Sequence, residues 1–166
     1  MKKFLTCFFV IALCISQAFA QHHHDDLYTD ASKYNNYIVD RQKAVVKSIQ
    51  DMSAEVSVDR KVALIMLKSM AKMALGMAQE IAHLQGFNNN TTFRDQSAAM
   101  FRYYGTSYTA KFKDIIVIGG NPNLTRHERD DLEQKGVDLD KEEGDVNQLF
   151  KDAQKRFAHE NNLRLE

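Results

Sequence analysis

The sequence predicts an all-α protein, an up-down-up-down bundle of four long helices with an extra short helix or a kink before the last one. Apolar residues recur at three- and four-residue steps through four long stretches, the period of a helix with one buried face. Proline occurs once, at Pro122, and glycine only seven times in 166 residues, too few turn-formers for a sheet protein. No stretch alternates apolar and polar residues strictly enough to read as a strand.

The first helix is expected over 29–56, with Leu27, Ala31, Tyr34, Ile38, Val45, Ile49, Met52 and Val56 as its apolar stripe. The stripe breaks at Arg41 and Gln42, and a Gln42 buried there would need a hydrogen-bond partner. A tight turn follows, with Ser57 or Asp59 as N-cap of the second helix. Val62, Ile65, Met66, Met70, Met73, Met77, Ile81 and Leu84 form the second stripe, and Gly86 stands where a helix end favours a left-handed residue. Asn88-Asn89-Asn90-Thr91-Thr92 connects to a third helix carrying Phe93, Met100, Phe101, Tyr104, Tyr108, Phe112, Ile115 and Ile118. Gly119-Gly120-Asn121-Pro122-Asn123 stops it. Thr125 then caps a short helix ending at Gly136, and Asp138 caps a final helix to Leu163, with Leu139, Val146, Leu149, Phe150, Ala153 and Phe157 inward. A single long helix kinked near Gly136 is the alternative. The break is preferred because a final helix of about 26 residues is about 39 Å long, matching the other three.

Residues 1–20 have the three parts of a cleavable export signal. Lys2 and Lys3 are the positive start, 4–15 is apolar apart from Thr6, and Ala18-Phe19-Ala20 is a small-x-small cleavage site. The apolar run is too short to span a bilayer, which takes about 20 residues, and no later segment is expected to do so. The domain organisation read from this is a signal at 1–20, a flexible His/Asp-rich tail at 21–28 and one bundle domain at 29–166. Ile11-Ala12-Leu13-Cys14 loosely matches a lipobox, so lipid anchoring through Cys14 is the competing reading. Leu13 is large for the position before an acylated cysteine, and cleavage after Ala20 is favoured.

Cleavage removes both cysteines, Cys7 and Cys14, so the exported domain must rest on its apolar core without disulfides. It also removes Lys2 and Lys3 and no carboxylate, turning 22 basic against 22 acidic residues into a net charge of −2. That balance argues against nucleic acid and against a basic membrane-surface patch.

The candidate sites are few. Cleavage after Ala20 would expose Gln21-His22-His23-His24-Asp25-Asp26. A free amine at Gln21 with an imidazole at the third residue, His23, can hold Cu(II) or Ni(II) in a square plane, and His22 and His24 enrich the tract. A polar unstructured terminus, or cyclisation of Gln21 to pyroglutamate, is the plainer reading. No cofactor is expected from the rest of the chain.

Glu80-Ile81-Ala82-His83 has the Glu-x-x-His spacing of di-iron bundles, but no second copy accompanies it, so a rim histidine is expected. Met66, Met70, Met73 and Met77 share one helix face, which suits Cu(I) or, more ordinarily, core packing. Tyr34, Tyr37, Tyr103, Tyr104 and Tyr108 either line a ligand pocket or send buried rings outward by their hydroxyls. No acid–base or nucleophile pair can be assembled, so an enzyme is not expected.

Tyr34-Asn35-Asn36-Tyr37-Ile38-Val39-Asp40-Arg41-Gln42 resembles the Tyr-Asn-x-x-Ile-Val-x-x-Gln stretch of a group of uncharacterised bacterial secreted or surface-attached helical proteins. The resemblance covers one helix and the signal-then-bundle layout. It implies an exported bacterial bundle and no known activity. The function expected is a non-enzymatic binding module of the periplasm, cell surface or medium, with a protein or small-ligand partner. Extracytoplasmic copper or nickel handling through the histidine tract is the alternative.

Overall fold

Each of the four helices among the described residues starts beside a polar residue whose side chain engages a free amide group. In the computed structural model, which describes residues 26–165, α1 (Ala31–Glu55) is capped by Asp30, whose carboxylate accepts from Ser32 N at 2.8 Å and Lys33 N at 3.2 Å. Asp59 does the same for α2 (Arg60–Ala82), accepting from Lys61 N and Val62 N. The third helix, α3, spans 92–119, and Asn90 Oδ1 accepts from Thr92 N at its start. Thr125 and Glu128 form a reciprocal capping box for α4 (Arg126–Glu160). Helices make up 79% of the structure, against about a third in an ordinary domain. No strand occurs among the described residues.

The helices run up, down, up and down. α2 packs between α1 and α3, and α3 packs against α4. At one end Tyr34, Phe87, Phe93 and Phe157 close the core with ring centroids 5.1–5.5 Å apart. Midway, the large side chains of α3 (Phe101, Tyr104, Tyr108) are buried together with the small ones of α2 (Ala63, Ala74, Ala78).

That complementarity corrects the second stripe. The buried face of α2 is Ala63, Leu67, Met70, Ala74, Ala78 and Ile81, while Val62 is exposed and Ile65 is 69% exposed. Small alanines permit close approach between helices, and the buried face follows them rather than the larger apolar Val62 and Ile65. Met66, Met73 and Met77 are left half-buried beside the core.

Other expectations are also revised. α4 is one unbroken 35-residue helix through Gly136 and Gly144, so the break at Gly136 does not form. A helix-interior glycine costs about 1 kcal/mol relative to alanine, too little to outweigh the capping box ahead of Gly136 and the buried Leu139 and Phe150 after it. Leu149 points outward at 57% exposure.

Gly86 does not take a left-handed conformation; Asn88 and Asn89 do, at φ 49° and 63°. Gly86 is needed for space, since a Cβ there would sit 2.9 Å from Asn90 O. Leu27 and Tyr28, expected in the tail, are packed on the bundle: Leu27 is buried and Tyr28 Oη accepts from Gln85 N.

Finally, α2 is long and apolar enough to cross a membrane by length and composition, contrary to the expectation that no segment after the signal would be. In this fold it serves as the central helix.

Candidate functional site

Gln21, His22, His23 and His24 lie outside the described residues, so the structure places no geometry on the copper or nickel tract. Among the described residues no group of three or more His, Cys, Asp or Glu side chains is arranged to hold a metal ion.

The Glu-x-x-His pair does not converge. Glu80 turns to α1, where Arg41 donates to both its oxygens (Nη2 at 2.7 Å, Nε at 3.1 Å) and the Tyr37 hydroxyl donates to it as well. The Arg41 guanidinium lies 3.4 Å above the centre of the Tyr37 ring, a cation–π stack. This explains the polar break in the first stripe. Arg41 fills it as the inter-helix clamp, and Gln42 is only half-buried beside it. His83 is exposed, with Nδ1 2.6 Å from Gln79 O.

The tyrosines divide between one end of the core and its middle. Tyr34 donates from its hydroxyl to Gln85 O at 3.1 Å. Tyr103, Tyr104 and Tyr108 gather where α3 leaves α-helical geometry. Thr92–Tyr103 is α-helical, Tyr104–Tyr108 is one π-helical turn and Thr109–Gly119 is α-helical again. The wider turn leaves backbone carbonyls poorly matched, and side chains take them up: Thr109 Oγ1 donates to Tyr104 O and Thr106 Oγ1 to Arg102 O, both at 2.7 Å. Gly105 in this turn abuts α2 so closely that a Cβ would sit 2.6 Å from Leu75 Cγ.

The rings of Tyr103, Tyr104, Tyr108 and Phe112 succeed one another at 5.5 Å spacings. The Tyr104 hydroxyl donates to Glu143 Oε1 at 2.9 Å, with Asn147 Oδ1 at 3.1 Å as a second acceptor. The Tyr103 oxygen is buried and has no hydrogen-bond partner among the described residues.

Burial, then the charges of Glu142 and Glu143, pushes the Tyr103 phenol up to about 12. Burial above all, and then the Glu143 carboxylate, raises Tyr104 and Tyr108 further. These phenols are neutral at physiological pH and act as hydrogen-bond donors rather than bases. Tyr104 and Tyr108 are buried in the core, and none of the three lines the grooves described below.

Binding space lies instead on the outside, between helices. One groove of about 490 Å³ runs between α3 and α4, where Lys111, Lys135 and Lys141 face Asp114, Asp138, Glu142 and Asp145. Its charges compensate one another, with Lys111 and Glu142 paired directly. A smaller groove of about 160 Å³ between α1 and α2 is bordered by Met66, Met70 and Met73 together with Asp51. Met77 of the expected methionine face is not among its walls.

A third, of about 450 Å³, lies between α1 and the end of α4. Its cations come from three separate stretches of chain: Lys43, then Lys151 and Lys155, then Arg164. Sequence spacing does not reveal such a site, because only the tertiary fold brings residue 43 to residue 164. Comparison with protein-family models, with curated proteins and with solved structures yields no match.

Proposed function

We propose that this protein is an exported, non-enzymatic helical bundle that serves as a binding module in the bacterial cell envelope or outside the cell. The observation that supports binding is the contrast between interior polar groups tied to fixed partners, Tyr103 excepted, and open inter-helix grooves. Glu80 is clamped by Arg41, and Tyr104 is tied to Glu143. The grooves, meanwhile, present charged side chains to solvent. The tripartite segment at 1–20 supports export, as does the resemblance of the first helix to secreted bacterial proteins.

The test is cell fractionation with intact-mass analysis of the protein made with its native start. A chain beginning at Gln21, or its pyroglutamate form, outside the cytoplasm is the expected result. An uncleaved chain in the cytoplasm overturns export, and an acylated Cys14 replaces free release with lipid anchoring.

A second reading, extracytoplasmic copper or nickel handling, is favoured by one feature, the Gln21-His22-His23 order that cleavage would expose.

A further inference from the structure

We propose that the groove between α1 and the end of α4 binds a multiply charged organic anion, with phosphate esters as the ligand class. This deepens the binding-module reading, on which it rests only for where the ligand would be met.

The first argument is charge. The chain has equal numbers of basic and acidic residues, and the other large groove mixes the two signs. The α1–α4 groove carries four cations and, among the described residues, no carboxylate in its lining. Lys151, Lys155 and Arg164 form no ion pair among the described residues, and Lys43 is 3.8 Å from Asp40, which does not line the groove. The three unpaired cations facing one concavity repel one another, and an anion between them relieves that repulsion.

The second argument is construction. Asn162 at φ 54° is the left-handed residue that ends α4. Leu163 N bonds Ala158 O at 2.8 Å and Asn162 N bonds His159 O at 3.4 Å, the paired bonds of a Schellman motif. Leu163 packs on the core, so the chain after α4 is turned back and Arg164 is delivered to the groove by folded structure. Lys151 and Lys155, four residues apart, share one face of α4.

The floor is neutral and ordered. Asn35, only 8% exposed, accepts from Gln154 Nε2 at 2.9 Å and donates to Asn36 Oδ1 at 3.1 Å, joining α1 to α4. Val39 and Leu163 supply apolar wall for the uncharged part of a ligand, and the volume is that of a small-molecule site.

The test is isothermal titration of the mature chain with inorganic tripolyphosphate at low and at physiological salt. It is run beside co-sedimentation with phosphatidylcholine vesicles containing or lacking phosphatidylglycerol. The variants are the double exchange Lys151→Glu with Lys155→Glu, the single Arg164→Glu, and Lys68→Glu on α2 as a control away from the groove.

The expected result is one tripolyphosphate site, weakened by salt and by about tenfold or more in the groove variants, with the control unchanged. Binding only to phosphatidylglycerol vesicles, with the same variant pattern, assigns the phosphate to a lipid headgroup. Binding to neither probe overturns the proposal, as does binding that the groove variants leave intact. Arg164 lies outside every helix, so its variant gives the answer should the double exchange unfold α4. Because the purified chain is used, failure here leaves the export reading standing.

Discussion

Exchanging Tyr103 and Tyr104 for phenylalanine, one at a time, removes one hydroxyl each while keeping ring packing nearly constant. The two neighbours should respond with opposite signs. The Tyr104 hydroxyl donates to the Glu143 carboxylate at 2.9 Å, and hydrogen bonds to charged groups contribute about 1.5–3 kcal/mol. Glu143 is half-buried and partly regains water when its donor is lost, so Tyr104→Phe should cost about 1–2 kcal/mol. The Tyr103 oxygen is buried without a partner among the described residues. A buried unsatisfied group costs roughly 1–3 kcal/mol, and Tyr103→Phe removes it, so a gain of about 1 kcal/mol is expected. Urea melts followed by far-ultraviolet circular dichroism read both, with an unchanged m-value showing that the unfolded state is not involved. In thermal melts about 1 kcal/mol corresponds to a few degrees for a domain of this size. A Tyr103→Phe protein that loses as much stability as Tyr104→Phe would refute the reasoning, because it would mean that the Tyr103 oxygen is hydrogen-bonded in solution.

Three further outcomes rest on the same geometry. The protein should be labile to alkali: burial pushes Tyr34 and Tyr103 up to about 12. A phenol whose folded pKa exceeds its unfolded value contributes fully below about pH 10 and loses that contribution as pH rises toward the folded value. Phenolate absorbance should therefore lag in native protein and appear near the ordinary phenol value of about 10 in urea, and a native titration centred there would contradict burial. Arg41→Lys should cost about 1 kcal/mol in denaturant melts, since a lysine cannot make the two-pronged contact to Glu80 and stack on Tyr37. An effect equal to that of Lys47→Ala, which breaks an exposed i,i+4 pair with Asp51, would reduce the clamp to surface decoration. Protein beginning with a free Gln21 amine should bind one Cu(II) and show the visible band of a square-planar nitrogen site, lost in His23→Ala or on blocking the amine and kept in His83→Ala. Absence of the band in the free-amine protein ends the metal reading.

Much of the fold was legible because the signals are local. Helical periodicity, the Asp59 and Thr125 caps, the glycine-proline stop and the short connections each act within a few residues, and together they define four antiparallel helices. The inward positions of α1 were likewise readable at Tyr34, Ile38, Val45 and Met52, where apolar residues and burial coincide.

The features left open by the sequence depend on residues far apart in the chain. The face that α2 buries runs through Ala63, Ala74 and Ala78, whereas hydrophobicity alone selects Val62 and Ile65, which are exposed. The π-helical turn at Tyr104–Tyr108 inserts the equivalent of one residue. It rotates the rest of α3 by about 100° and buries Ile116 more deeply than Ile115 and Ile118. Gly136 marks a break by local propensity, yet capping and packing carry α4 straight through it. The four-cation groove is the furthest from sequence, since Lys43 and Arg164 come to line one groove only in the folded chain. Local propensity determines which segments are helices. Side-chain volume and charge at long range determine which faces they turn to one another and which they leave to solvent.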